Sequence, residues 1–208
     1  MPEQGHIRVH GHGEIEVELI VSYLADLRHA YNSILVFESA MDGLSRSYRD
    51  FGYPFYYGNL AFHLPRRGIR AARDWPSTPE EVASLVPNVE QLVLAGVRLQ
   101  SPGFWDFVGK LNPLEVIRLY LNDRHERRKD REYRESAEAR KLTLENLKLE
   151  NEVIASRIQL AKELGATERD LAPLLNELVF RPLTGLDRHQ DKGVIENVEV
   201  PRLPGQGQ

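Results

Sequence analysis

Three groups of side chains in this chain have types and spacings that could do chemistry. The first is an aromatic stretch that gives way to a basic one. Tyr48, Phe51, Tyr53, Phe55, Tyr56 and Tyr57 crowd together, and His63, Arg66, Arg67, Arg70 and Arg73 follow before Trp75. Aromatic faces stack on bases and guanidinium forks grip phosphate, so Arg66, Arg67, Arg70 and Arg73 are candidate residues for binding a nucleotide or a single strand. Packing of the rings in a core or interface is the plainer reading, and nucleic-acid or nucleotide binding is not favoured.

The second group is His6, His10 and His12, whose even spacing would put all three on one face of a strand. Imidazoles ligate zinc, nickel or copper, but a polar outer strand face is the better reading, and no metal site is expected. The third is the block Arg124, Arg127, Arg128, Lys129, Arg131 and Arg134. Glu126, Asp130, Glu132 and Glu135 interleave with it and dilute its field, so it reads as a solvated helix face rather than a phosphate or lipid reader.

Other chemistries find no support. The chain has no cysteine, which removes disulfides, thiolate catalysis and sulfur-ligated zinc. No phosphate-binding glycine loop, nucleophile elbow, zinc-protease motif or dinucleotide fingerprint occurs, so no catalytic residue and no cofactor is expected. A net charge of −4 disfavours indiscriminate nucleic-acid binding. The N-terminus lacks a signal-peptide pattern, and no apolar run is long enough to span a bilayer. The expectation is a non-enzymatic, soluble, cytoplasmic protein.

The elements that would position these groups begin with a strand over His6–His10. An amphipathic helix follows from about Val17 to Ser39, carried by Ile20, Leu24, Leu27, Tyr31 and Ile34. Ser77 and Thr78, then Pro79, Glu80 and Glu81, predict the start of a short helix ending near Leu85. Val89–Leu99 is the clearest strand candidate. Phe104, Trp105, Phe107 and Val108 form a bulky apolar cluster suited to core or interface, with a membrane-dipping loop as the less simple alternative. Thr167 or Asp170 would cap a short helix to about Phe180, in which Pro173 is tolerable only within the first turn. A turn at Asp191–Gly193 and a strand near 194–200 precede a tail expected to be disordered.

Between these lies the feature that dominates the sequence. Asn112 and Pro113 are a strong helix start, and neither glycine nor proline follows until Gly165. A continuous helix of that length would measure about 78 Å. Leu114, Ile117, Tyr120 and Leu121 would dock its first turns, and opposed charges would hold its middle intact in water. Its distal part carries two apolar stripes. Leu144, Leu147, Asn151, Ile154, Ile158 and Ala161 repeat at steps of three and four, and Leu142, Leu149, Val153, Leu160 and Leu164 lie on another side. Heptad spacing with an asparagine among the core positions is a coiled-coil device, so Leu144, Leu147, Asn151, Ile154 and Ile158 are the candidate assembly interface.

The stretch SPGFWDFVGKLNPLEVIRLYLNDRHERRKDREYR, with AYNSILVFES upstream, resembles a group of uncharacterised bacterial proteins that combine an N-terminal α/β unit, a Ser-Pro-Gly turn and a long charged helix. The resemblance covers about half the chain. It implies a bacterial, soluble, accessory protein and carries no activity to any residue. Together these readings predict an α+β fold. A small N-terminal α/β unit with a mixed sheet would occupy residues 1–111 and a long helical stalk 112–165. A short C-terminal helix and strand would occupy 166–200, followed by the tail 201–208. The expected function is that of an oligomeric scaffold or adaptor assembling through the long helix, with a further protein partner allowed for. A nucleotide- or nucleic-acid-binding component and a membrane-interacting effector are the alternatives.

Overall fold

A computed structural model describes residues 4–11, 15–51, 76, 78–98, 103–129 and 152–201. The chain has an α+β architecture and divides into two compact units that interleave in sequence. Unit one comprises Met1–Tyr31, Val89–Glu135 and Leu183–Gln208, and unit two comprises Asn32–Asn88 and Ser136–Pro182.

Unit one is built on a four-stranded sheet in the order β2-β3-β1-β4, with β1 Gln4–Gly11, β2 Val93–Arg98, β3 Gly103–Lys110 and β4 Val198–Glu199. The sheet is antiparallel at every pairing, not mixed as expected. The short segment between β2 and β3 is far below the dozen residues a parallel crossover needs, so that pair must be a hairpin. β1 pairs along its whole length with β3, from Gln4 opposite Lys110 to Gly11 opposite Gly103. Its alternation is sharp: Gly5, Ile7, Val9 and Gly11 are buried, whereas His6, Arg8 and His10 are half-exposed on the other face. The expected common face of His6 and His10 is therefore found, and His12 lies outside the described residues.

β3 is the strand that the sequence pattern did not announce. Trp105 and Phe107 point into the core, but Phe104 on the opposite face is apolar as well. It lies beneath the Arg8 guanidinium, 4.1 Å from its ring centroid. That use of an aromatic on the half-exposed face erased the alternation by which a half-buried strand is recognised.

Helices cover the buried face of the sheet. The first, α1, runs Val17–Phe51 and is longer than expected. Nothing breaks it before the glycine and proline at 52 and 54, and Gly43 within it is buried, so packing overrides its poor helix propensity. Tyr23, Leu27, Ala30 and Tyr31 bury its unit-one portion. The Tyr31 hydroxyl donates to the carbonyl of Glu90 (2.9 Å) and accepts from the amide of Lys110 (2.7 Å), tying the helix to the entrance of β2 and the exit of β3. The short helix α2, Pro79–Ser84, belongs to unit two, and after β3 the chain turns directly into the docking helix α3, Leu111–Lys129. Leu114, Val116, Ile117, Tyr120 and Leu121 are buried, so the expected docking end is present. Residues 130–151, the middle of the expected continuous helix, lie outside the described residues.

Unit two holds the later half of α1, α2, α4 Glu152–Glu163 and α5 Glu168–Leu175. α1 is buried at every position from Asn32 to Phe37. α2 begins at the predicted place: Thr78 and Glu81 form a reciprocal capping box ahead of Pro79. α4 stops at Gly165, where φ is 110°. The Gly165 amide bonds the carbonyl of Lys162 (3.0 Å) and the Ala166 amide that of Ala161 (2.9 Å), a Schellman closure. Arg157 of α4 pairs with Asp42 of α1.

α5 starts at Thr167, capped with Asp170. Pro173 sits inside the helix, in its second turn, against the expectation. The carbonyl of Arg169, which thereby loses its helical donor, belongs to an exposed residue, so water can serve it. Beyond α5 helical backbone persists past the expected end near Phe180. It continues as a π-turn over Asn176–Phe180, then α6 Arg181–Gly185 and α7 Asp187–Asp191. Among the described residues no helix is long and apolar enough to cross a membrane.

Candidate functional site

The densest polar cluster in unit one forms where α7 and the segment after it close over α1, α3 and β1. Helical phase places it: Ser22, Tyr23 and Asp26 fall on one flank of α1, and Arg188 and His189 are adjacent on α7. Asp26 Oδ2 lies 2.6 Å from His189 Nε2 and 2.9 Å from Arg188 Nε. Arg188 Nη2 also bonds the same oxygen, and it donates to Ser22 Oγ at 3.1 Å. Burial of the carboxyl opposes its ionisation, but the hydrogen bonds from His189 and Arg188 outweigh that, and Asp26 is held below the usual carboxylate range. The contact engages one nitrogen of the His189 ring, Nε2.

The other ring nitrogen faces inward. The His189 side chain is 2% exposed, and its Nδ1 has no hydrogen-bond partner. Tyr23 packs against it, ring centroids 5.6 Å apart, and against Trp105 at 5.6 Å. The Tyr23 hydroxyl is fully buried and also lacks a partner; burial pushes its ionisation up, so it stays neutral. Such a carboxylate–imidazole pair resembles the base half of a nucleophilic site. Here the far nitrogen meets aromatic packing instead of a nucleophile, and Ser22 is engaged with Arg188. What this arrangement does physically is clamp the C-terminal segment to α1.

Further polar contacts extend the clamp. The Tyr120 hydroxyl donates to Asp187 (2.6 Å), and Arg124 pairs with Asp187 (3.1 Å) and Asp191 (2.7 Å). Arg124, read from sequence as part of a solvated face, is thus largely buried in an ion-pair network, its side chain 14% exposed. Gln190 Nε2 donates to the carbonyls of Leu121 (2.8 Å) and Glu196 (3.0 Å). Asn122 pairs in both directions with the backbone of Val198. Gly193, at φ 71°, ends α7 with a second Schellman closure through Gln190 and His189. The expected turn at Asp191–Gly193 is therefore present, but the strand after it shrinks to Val198–Glu199.

A second polar group lies on the half-exposed sheet face. Arg8 and Asp106, directly opposite in the ladder, form a two-pronged pair at 2.7 and 2.9 Å. The hydrogen bond that Arg8 donates to Asp106 raises the Arg8 pKa above its ordinary value, despite some desolvation. His10 Nε2 lies 3.0 Å from Glu199 Oε1. Among the described residues no three His, Cys, Asp or Glu side chains converge to hold a metal.

Arg66, Arg67, Arg70 and Arg73 lie outside the described residues, as do Leu144, Leu147 and Asn151. Ile154 is 1% exposed, covered by the chain itself, and Ile158 is half-buried. Of the other stripe, Leu160 is 48% exposed. The clamp residues were missed because Asp26 and His189 stand 163 positions apart. The available signal was the three-residue step Leu183, Leu186, His189, which marks 183–190 as helical. No protein-family model, curated protein or solved structure matches this chain.

Proposed function

We propose that this protein is a non-enzymatic scaffold or adaptor that works by self-association. The observation that carries this reading is the edge of the unit-one sheet, where Val93, Leu94 and Val97 of β2 are 55%, 43% and 48% exposed. Branched aliphatics grouped on one short strand are the kind of surface that partner binding covers. The polar cluster around Asp26 and His189 is closed by aromatic packing, which suits a structural role better than turnover. A head over residues 1–111, a stalk over 112–165 and a C-terminal element over 166–200 belong to the same proposal. So does assembly through Leu144, Leu147, Asn151 and Ile158 of the long helix. With Ile154 already covered, Leu160 is the exposed apolar position that α4 adds.

Size-exclusion chromatography with light scattering tests the reading, with absorbance recorded at two wavelengths to report bound nucleotide. The expected result is a mass that is a multiple of the chain's 23.8 kDa without excess absorbance from nucleic acid. A monomer that carries nucleotide would replace this proposal with the binding alternative.

A further inference from the structure

The outer edge of β2 departs from the rest of its sheet. Directly opposed residues of an antiparallel pair share a face. The register therefore sets Leu94 beside Phe107 and Val97 beside Trp105 on the helix-covered side, and Val93 beside Val108 on the other. Phe107 and Trp105 are each 2% exposed, yet Leu94 and Val97 on the same side are nearly half exposed. Among the described residues the helical cover thus reaches β3 and falls short of β2. No described strand pairs with the outer edge of β2. From Val93 to Val97 the strand has no proline and no charge, the usual devices that keep an edge from pairing; one bulge is its sole irregularity.

We infer that a second copy of this chain docks on this edge, adding its own β2 antiparallel across a two-fold axis and merging two four-stranded sheets into one of eight strands. The inference rests on the self-association proposed above and names its surface. The choice of occupant follows from the strand's complementarity to itself. The register shifts between Leu94 and Gly96, so Ala95 is the extra residue, and the ladder residues are Val93, Leu94, Gly96, Val97 and Arg98. A two-fold on Gly96 is the arrangement that pairs all five. Leu94 then meets Val97 of the partner subunit and Val97 meets Leu94 of the partner subunit, both on the helix-covered side. Val93 meets Arg98 of the partner subunit on the other face, where the arginine stem can cover it. Four aliphatic side chains that are half exposed in separate copies become one continuous row. A strand of this length gives a small interface, so affinity on the order of micromolar is expected.

The test uses the full chain in sedimentation velocity at about 50 µM. Three proteins are compared: wild type, Leu94→Lys/Val97→Lys, and Leu147→Lys/Ile158→Lys. The β2 variant should keep the wild-type circular dichroism, because both side chains are already half in water, and its dimerisation should weaken by about tenfold or more. Amides of 93–98 should exchange more slowly in the wild type on concentration, and that protection should vanish in the β2 variant. An oligomer that survives the β2 substitutions overturns this inference; if the long-helix variant then dissociates, self-association stands with its surface on the helix. A wild type that stays monomeric overturns both this inference and the reading beneath it.

Discussion

Removing the Asp26 carboxylate isolates the energetics of the clamp. In Asp26→Ala, the His189 ring loses its carboxylate partner in a side chain only 2% exposed. A buried donor left unsatisfied costs about 1–3 kcal/mol. The Arg188 bonds add little, because that side chain is 57% exposed and water replaces the carboxylate, a loss of under about 1 kcal/mol. The expected destabilisation is therefore about 2–3 kcal/mol, dominated by the histidine. Asp26→Asn retains an acceptor oxygen and should cost about 1 kcal/mol. His189→Phe removes both the donor and the unpartnered Nδ1 while keeping a ring against Tyr23. Asp26→Ala combined with His189→Phe should then be less damaging than the sum of the single changes by at least about 1 kcal/mol. Urea unfolding followed by circular dichroism measures the cycle. Hydrogen exchange at Glu196 and Val198, whose amides bond the His10 carbonyl and the Asn122 side chain, reports the clamped segment itself. A change below about 0.5 kcal/mol for Asp26→Ala, or strict additivity in the double variant, would mean that the pair does not clamp the C-terminal segment.

Other outcomes follow from the same structure. Asp26 has a depressed folded-state pKa, so it contributes stability at pH values above its ordinary 3.8, and that contribution is lost as pH falls through the folded value. Acid unfolding of Asp26→Asn should accordingly have a shallower limb than that of the wild type, read by circular dichroism across the acid range. In Gly109→Ala the new Cβ would stand 2.7–2.8 Å from the Tyr31 ring and hydroxyl, which is pinned by two hydrogen bonds. Overpacking there should lower stability by about 1–3 kcal/mol in urea. Gly165 is exposed but has a φ of 110°, so Gly165→Ala should lose about 1–2 kcal/mol through backbone strain, read as a lowered thermal midpoint.

What could be read from the sequence is what short-range physics decides. The capping box at Thr78 and Glu81, the stop at Gly165, the turn at Gly193 and the alternation of β1 each depend on a few neighbouring residues. The buried face of α3 was legible for the same reason. β3 was obscured because Phe104 serves Arg8 on the half-exposed face, a cross-strand contact without local trace. The helices Arg181–Gly185 and Asp187–Asp191 were hidden by Pro182 and Gly185, residue types that usually interrupt a helix. The clamp could not be read at all: Asp26 acquires meaning only when α7 folds back beside α1. The exposed edge of β2 looked like any apolar strand, since sequence alone does not say that the helical cover ends one strand short.

Sedimentation equilibrium of the wild-type chain, from about 1 to about 100 µM, tests self-association most directly. Self-association requires a mass rising with concentration toward twice 23.8 kDa, and undiminished at about 1 M salt, where exposed charge pairs are screened and apolar edge pairing is not. A mass of 23.8 kDa across the whole range would contradict it.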